Sequence, residues 1–210
     1  EALFAVRGRD HQVRVFYNVC QHRAHQLVSG AGRSPTITCP YHAWSYDFDG
    51  ALRAAPNLNV VAGADKSKIC LTEVRCEEFL GFLFVNLDMD AAPMESWFPG
   101  VRAELEEWVP NWAVLKPLEW VEIPEKCNWK VSVENYSECY HCALNHVTFS
   151  NGIVKPETYD IQPQGRCLRH TTECQNLDSM SYDIHSGFAH FDEYSSWYLW
   201  PLFSFQVYPG

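Results

Sequence analysis

Long apolar runs are missing from this sequence of 210 residues. No stretch reaches the roughly 20 consecutive apolar residues that a membrane-spanning helix needs, and the first residues lack the basic and apolar regions of a signal peptide. Positive charge is also scarce, because 16 Lys and Arg residues stand against 26 Asp and Glu, which gives a formal net charge of −10. Neither a membrane nor a nucleic acid is expected as a partner, since phosphate binding requires a basic surface.

Cysteine, in contrast, is plentiful. Nine cysteines could indicate a disulfide framework, but the number is odd and several stand next to histidines at the spacing of metal ligands. Reduced thiols in a cytoplasmic, metal-loaded protein are therefore predicted. The chain begins at Glu1 and stops just after a strand-like stretch, so both ends are expected to lie inside a longer protein.

The first half of the chain is predicted to be rich in β-strands. Residues 3–6 and 13–19 are expected to pair as a hairpin. Asp49-Gly50 predicts a second hairpin with a two-residue turn, which requires positive φ at both positions. The apolar run at residues 81–87 predicts a buried strand.

Helices are predicted after a change of composition near residues 91–93. Residues 101–109 form the first, with Glu104, Glu106 and Glu107 on its solvated face. A second helix is expected to begin near Asn128, which can cap the first turn. Its apolar stripe consists of Trp129, Val133, Tyr136 and Tyr140.

Two Cys–His pairs suggest a metal centre in the first half. Cys20 and His22 form the first pair, and Cys39 and His42 form the second. Two such loops can enclose one zinc ion, which accepts both ligand types, or a two-iron cluster with both cysteines on one iron and both histidines on the other. Zinc fingers usually pair Cys with Cys and His with His, so the mixed pairs favour the cluster.

A second set of potential metal ligands follows the predicted helix. Glu138 and His141 are three residues apart and share a helix face, whereas His141 and His146 are separated by about 140° around a regular helix. Both histidines can reach one metal only if the helix ends or bulges between them. A redox pair or a second zinc site at Cys139 and Cys142 stays open, as do histidines that are merely buried.

Together, the two sets resemble the alpha subunits of Rieske non-haem iron oxygenases over nearly the whole chain. The resemblance implies an α+β fold, with a β-rich Rieske [2Fe–2S] domain at residues 1–90 and part of a helix-grip-type catalytic domain at residues 91–210. It also implies that the two Cys–His pairs hold the cluster. His141 and His146 then hold a mononuclear Fe(II), and its third ligand, a carboxylate, is expected beyond residue 210.

Glu138 departs from the usual family pattern, in which an Asp connects the two metal centres, and is similar to the variant of the carnitine oxygenase group. The resemblance thus implies O₂-dependent C–H hydroxylation of a quaternary ammonium substrate such as carnitine, giving trimethylamine. Glycine betaine-type N-demethylation, aromatic-ring hydroxylation and a Rieske electron carrier without oxygenase activity remain alternatives. An NAD(P)H-dependent reductase and a homotrimer, with Glu138 as the bridge for electrons between subunits, are the implied partners.

Aromatic residues crowd one strand-like segment near residue 200. Aromatic faces bind trimethylammonium cations, although a sheet core explains any single one of these residues equally well. Because side chains alternate along a strand, only some of them can face a pocket. The candidate substrate residues are Trp197, Tyr198, Trp200, Phe203, Phe205 and Tyr208.

Overall fold

Two units, Glu1–Ala91 and Ala92–Gly210, make up the chain in this computed structural model. The structure describes residues 1–201 and 203–210. Its architecture is mixed and rich in sheet, as the predicted α+β class requires. The helices of the described residues are all too short or too polar to cross a bilayer.

The first unit contains two antiparallel sheets, one with the order β1-β2-β6-β7 and one with the order β3-β4-β5. The strands are β1 (Leu3–Arg7), β2 (Val13–Tyr17), β3 (Ile37–Thr38), β4 (Ser45–Tyr46), β5 (Leu52–Ala54), β6 (Glu73–Phe79) and β7 (Phe82–Asn86). Their core includes the buried residues Phe16, Tyr46, Cys20 and Cys39. The two cysteines are thus fixed from the inside of the unit.

Both predicted hairpins form, but one turn differs from the prediction. β1 and β2 pair over their full lengths, and β4 pairs with β5 across Asp49-Gly50. Gly50 has a φ of 89°, whereas Asp49 is not among the residues with positive φ. The Gly50 N–H instead donates to the carbonyl of Asp47 at 3.0 Å. The connection is therefore longer than the two-residue turn that the dipeptide predicts.

The prediction of a buried strand at residues 81–87 is wrong about burial. β7 forms there, but Phe82 and Val85 are each 47% exposed and Leu87 is 54% exposed. β7 is the edge strand of its sheet and pairs with β6. An apolar run alone does not distinguish an edge strand from a central one, which is why the sequence was misleading here.

The second unit combines short helices with an antiparallel sheet of order β11-β10-β9-β8. Residues 194–199 of the inner strand β10 are all buried. The elements are α1 (Met94–Trp97), α2 (Val101–Trp108), α3 (Trp129–Tyr136), α4 (Cys142–Asn145), a π-helix (Thr148–Ile153), β8 (Asp160–Gln164), β9 (Cys167–Glu173), β10 (Glu193–Leu199) and β11 (Phe203–Val207).

Helix α2 corrects one detail of the sequence interpretation. Glu104 was expected to face solvent, but its carboxylate accepts a hydrogen bond from Trp197 Nε1 at 2.9 Å and pairs with Arg169 at 2.6 Å. Glu104 lies one turn from the buried Val101 and Trp108, which brings it to the edge of the packed face. The contact fixes α2 to the sheet through β9 and β10.

Helix α3 begins where the sequence predicts and ends earlier. Asn128 is its N-cap, and its side-chain oxygen accepts a hydrogen bond from Lys130 N–H at 3.0 Å. The helix stops at Tyr136, so Tyr140 leaves the predicted apolar stripe and is 96% exposed. The segment that contains Glu138 and His141 therefore lies outside the regular helix.

Candidate metal centres and the adjoining cavity

Two loops with the same backbone geometry present the Cys–His pairs of the first unit. Cys20 N–H donates to the carbonyl of His25, and Cys39 N–H donates to that of Trp44, both at 2.8 Å. In each loop an alanine four residues after the cysteine donates its N–H to the cysteine carbonyl and has a positive φ, of 55° for Ala24 and 56° for Ala43. The repeat supports a shared role for the two pairs.

The thiols and the imidazoles of these pairs differ in exposure. Cys20 and Cys39 are each 2% exposed, whereas His22 and His42 are exposed and their ring centroids lie 4.7 Å apart. Buried thiols beside exposed imidazoles fit a cluster with a sulfur-bound inner iron and a nitrogen-bound outer iron.

Aromatic side chains support this first site. The Tyr46 hydroxyl lies 3.2 Å from Cys20 Sγ, and burial raises the pKa of Tyr46, so the hydroxyl stays protonated and can donate to a thiolate. The indole of Trp44 stacks on the His22 ring at a centroid distance of 4.7 Å. Hydrogen bonds to ligand sulfur are one of the features that set the potential of an iron–sulfur cluster.

The second potential metal site lies where α3 has ended. His141 is the N-cap of α4, and His146 is its C-cap, with φ −116° and ψ 55°. The helix thus ends before His146, the condition under which the two histidines can reach one metal. A π-helix follows immediately at Thr148–Ile153, an irregularity that is frequent at functional sites.

Glu138 orients the first of these histidines. Its Oε1 accepts a hydrogen bond from His141 Nδ1 at 2.5 Å, and its Oε2 accepts one from the Tyr140 N–H. The hydrogen bond with His141 lowers the pKa of Glu138, although desolvation opposes it. With the proton held on Nδ1, the lone pair of His141 Nε2 is free for a metal.

The two histidines fit a mononuclear metal. His141 Nε2 and His146 Nε2 lie 3.2 Å apart. Two ligands that each bind one metal at about 2.1 Å, at angles between a right angle and the tetrahedral value, are separated by about 3.0–3.4 Å. The described residues provide no third His, Cys, Asp or Glu at this position, and the carboxylate expected beyond residue 210 stays a prediction.

A disulfide encloses His141, which corrects the expectation of reduced thiols throughout. Cys139 and Cys142 are bonded, with their Cα atoms 5.0 Å apart, inside the range that disulfide geometry allows. Because α3 ends at Tyr136, the chain turns here, and Cys142 N–H donates to the Cys139 carbonyl at 3.1 Å. This turn brings the two thiols together. The other seven cysteines are free.

Thiol counting tests this disulfide directly. We expect air-purified protein, denatured with a chelator to remove iron, to alkylate seven cysteines without reductant and nine after reduction, because two of the nine are paired. Mass spectrometry should find the protected pair in the peptide containing Cys139 and Cys142. Nine alkylated cysteines before reduction would restore the original expectation of reduced thiols.

A cavity of about 680 Å³ opens beside the two histidines. Its wall includes His141, His146, Glu138 and the disulfide, together with an aromatic group formed by Tyr136, Phe149, Tyr159, Tyr194 and Tyr208. Within this group, the Tyr194 ring lies 5.1 Å from Phe149 and 5.2 Å from Tyr208 between centroids. The cavity therefore joins potential metal ligands to aromatic surfaces, and its size suits a small organic molecule.

Two domain families match this chain. The Rieske [2Fe-2S] domain matches residues 1–65, and the catalytic domain of the ring hydroxylating alpha subunit matches residues 112–210. The oxygenase subunit of carnitine monooxygenase from Escherichia coli (strain K12) is 37% identical over the whole chain. The chain belongs to the Rieske non-haem iron oxygenases. Its two matched domains are those that bind a [2Fe–2S] cluster and a mononuclear iron in this family.

Other relatives define the range of the similarity. The oxygenase subunit of glycine betaine monooxygenase from Pseudomonas aeruginosa is 32% identical over 145 residues, which are 69% of this chain and 33% of that protein. A solved quaternary ammonium Rieske monooxygenase in complex with L-carnitine matches 99% of this chain and 54% of its own, with a TM-score of 0.85 and 33% identity. The Escherichia coli subunit is covered to 55%, so the chain spans about half the length of the carnitine monooxygenase subunits that it matches.

The six aromatic residues selected from the sequence lie in different places in the structure. Tyr208 lies on the cavity wall, and the wall formed by the described residues includes none of the other five. Trp197 is fully buried and bonded to Glu104, while Trp200 is 47% exposed. The ring of Tyr198 is tilted against that of Tyr136 at a centroid distance of 5.5 Å. Phe203 and Phe205 of β11 lie next to each other.

Sequence reasoning missed most of the aromatic wall. Tyr136 was noticed only as part of a helical stripe, although it stands two residues before Glu138. Phe149, Tyr159 and Tyr194 come from a π-helix, a loop and a strand, and no spacing in the sequence links them. The short sequence distance between Tyr136 and Glu138 could have identified Tyr136 as a wall residue. The other three residues can be identified only from the fold.

Proposed function

We propose that this chain carries the cluster site and two iron ligands of a monooxygenase that hydroxylates a C–H bond of a quaternary ammonium compound such as carnitine. The observation that carries the proposal is the cavity that joins His141 and His146 to five aromatic side chains. Aromatic faces attract a cation that water solvates weakly, each by about 0.5–2 kcal/mol. The relatives named for carnitine and glycine betaine support the same substrate class.

The site residues take these roles in the proposal. Cys20, His22, Cys39 and His42 hold the cluster, and His141 and His146 hold the iron. When bound, the two centres supply the electrons and the activated oxygen for hydroxylation. The chain's own contribution is to keep the ligand imidazoles oriented, through Glu138 at His141, and to hold the substrate cation against the aromatic wall.

The substrate's fate follows from which carbon is hydroxylated. A hydroxyl placed on the carbon next to nitrogen in the carnitine backbone loses its proton and becomes an aldehyde carbonyl. The C–N bond breaks as the carbonyl forms, and trimethylamine leaves with the bonding electrons. A hydroxyl placed on an N-methyl group leads instead to loss of formaldehyde, the outcome for a betaine demethylase. Release of trimethylamine requires the whole carnitine molecule to lie along the cavity. The cavity volume of about 680 Å³ leaves room for it.

Electrons are proposed to come from an NAD(P)H-dependent reductase in the cytoplasm. We also propose a homotrimer in which the cluster of one subunit serves the iron of another, with Glu138 connecting them. One structurally similar quaternary ammonium monooxygenase is described with inter-subunit electron transfer. Glu138 supports the same arrangement here because it is only half-buried beside His141, so its carboxylate can also contact a second subunit.

Binding of matched ligands tests the substrate class. Full-length, iron-loaded protein is expected to bind carnitine at least about 10-fold more tightly than the analogue in which carbon replaces the ammonium nitrogen. Tyr208→Leu should reduce that preference about 3- to 30-fold, because one aromatic face is lost from the wall. Trp200 does not belong to the described wall, so Trp200→Leu is the control and should keep the preference for the charged ligand. Calorimetry under anaerobic conditions measures both, and equal affinity for the charged and neutral ligands would rule out the quaternary ammonium class.

A further inference from the structure

A polar pair on the same cavity wall consists of the half-buried Tyr159 and the buried His170. Tyr159 stands just before β8, and His170 belongs to β9. The Tyr159 hydroxyl and His170 Nδ1 are 2.8 Å apart. Both residues line the cavity together with His141 and His146, so the pair can take part in binding a ligand of the iron site.

Both members of the pair are neutral. His170 is only 2% exposed, and this burial lowers its pKa, which disfavours the imidazolium form. Burial likewise raises the pKa of Tyr159 to about 12. The pair consequently holds one imidazole N–H and one phenolic O–H, and one of these two protons occupies the bond between them.

The second nitrogen of His170 decides where the other proton points. His170 Nε2 is buried and has no hydrogen-bond partner among the described residues. A proton on Nε2 would be an orphaned buried donor, which folded proteins rarely tolerate. With the proton on Nδ1, His170 donates to the Tyr159 oxygen, and the Tyr159 O–H is left free to donate elsewhere. The His170 backbone is itself fixed, because its carbonyl accepts from Ser195 Oγ at 2.9 Å.

The wall also lacks a cationic group for an anionic ligand. Its described residues include no Lys or Arg, so, apart from the iron that His141 and His146 would hold, a carboxylate that enters the cavity meets only neutral donors. The Tyr159 hydroxyl is well suited to bind a carboxylate, because its oxygen already accepts from His170 and its proton can only be donated to another group.

We infer that the Tyr159 hydroxyl donates a hydrogen bond to the carboxylate of a quaternary ammonium substrate, and that His170 is the positioning residue that directs it. The inference rests on the proposed function and deepens it. The other four members of the aromatic group bind the ammonium end, and the Tyr159–His170 pair binds the opposite, acidic end. The pair thereby selects betaine-type and carnitine-type molecules over quaternary ammonium compounds that lack a carboxylate.

Paired ligands test this inference in the full-length, iron-loaded protein. Tyr159→Phe is expected to weaken carnitine binding about 10- to 100-fold, the usual loss for a hydrogen bond to a charged group. Binding of a trimethylalkylammonium ion of the same length without the carboxylate should change less than about twofold. Tyr140→Phe removes a hydroxyl from an exposed tyrosine in the same unit and serves as the control.

Two substitutions of His170 separate positioning from packing. The amide of Asn takes the place of Nδ1, whereas the amide of Gln takes the place of Nε2. His170→Asn should therefore stay within about threefold of the wild type for carnitine, while His170→Gln should match Tyr159→Phe. The effect should fall on KM, with kcat nearly unchanged, because the bond is made equally in ground and transition states.

The outcomes distinguish this inference from the proposed function. If Tyr159→Phe weakens both ligands equally, or weakens neither, the assignment of Tyr159 to the carboxylate is wrong while the quaternary ammonium site stands. If the wild type binds neither ligand, the proposed function fails and the inference falls with it. Iron content and melting temperature, measured for every variant, show whether the site is intact.

Discussion

Replacing Glu138 with alanine should reduce product formation in a single turnover by at least about 10- to 100-fold, the loss found when a group that orients a metal ligand is removed. The physical reason is its contact with His141 Nδ1 at 2.5 Å, together with its proposed role as the bridge between centres. We expect both metal sites to stay occupied and the cluster to be reduced normally. Rapid-quench product analysis, with metal analysis of the same sample, measures these quantities.

Three further variants make the Glu138 experiment specific. Glu134→Ala removes an exposed carboxylate from α3 of the same unit and should leave turnover unchanged. Glu138→Asp keeps the charge but shortens the reach by one methylene, and Glu138→Gln keeps the reach without the charge. Near-normal turnover of Glu138→Ala with both metals loaded would leave Glu138 as an ordinary surface acid.

Changing one cluster histidine to cysteine should alter the spectroscopy and potential of the first site. The neutral imidazoles raise the reduction potential of a Rieske cluster above that of all-cysteine clusters. His22→Cys or His42→Cys should therefore lower this potential by about 200 mV or more. The wild type should show the low-average-g electron paramagnetic resonance signal of a histidine-bound cluster when reduced. Partial desolvation and the neighbouring His22 lower the pKa of His42, which keeps it in the neutral form that binds metal.

His25 provides the matched control for that experiment. It is exposed, lies in the same loop as His22, and its ring lies beside that of Tyr41. Its contact with Cys20 is made by its backbone carbonyl, which His25→Ala retains. His25→Ala should therefore leave the potential and the signal unchanged. Zinc in place of iron, without acid-labile sulfide, in anaerobically prepared wild-type protein would show that the four residues form a zinc site.

Local patterns predicted the parts of the fold that depend on neighbouring residues. The hairpin of β1 and β2 and the N-cap at Asn128 were both correct, because strand alternation and capping act over a few positions. The exposure of β7 and the partial burial of Glu104 were not predictable, because each depends on what lies across the sheet or beside the helix. Burial is a tertiary property that an apolar run only suggests.

The candidate sites divide in the same way. The Cys–His pairs and the Glu138–His146 segment are visible in the sequence because their residues are contiguous and chemically distinctive. The cavity is not, because Tyr136, Phe149 and Tyr194 come from separate elements. A redox pair at Cys139 and Cys142 was only an alternative to the predicted reduced thiols, since the early end of α3 is what brings the two thiols into a turn.

Iron and sulfide analysis of the full-length protein tests the central claim that one polypeptide contains both a Rieske cluster and a mononuclear iron. The account predicts three iron atoms and two acid-labile sulfides per chain, two of the irons belonging to the cluster and one to the histidine site. His141→Ala should lower the count to two irons while the sulfide stays at two. Two irons per chain in the wild type, unchanged by His141→Ala, would instead identify an electron carrier without an oxygenase centre and contradict the account.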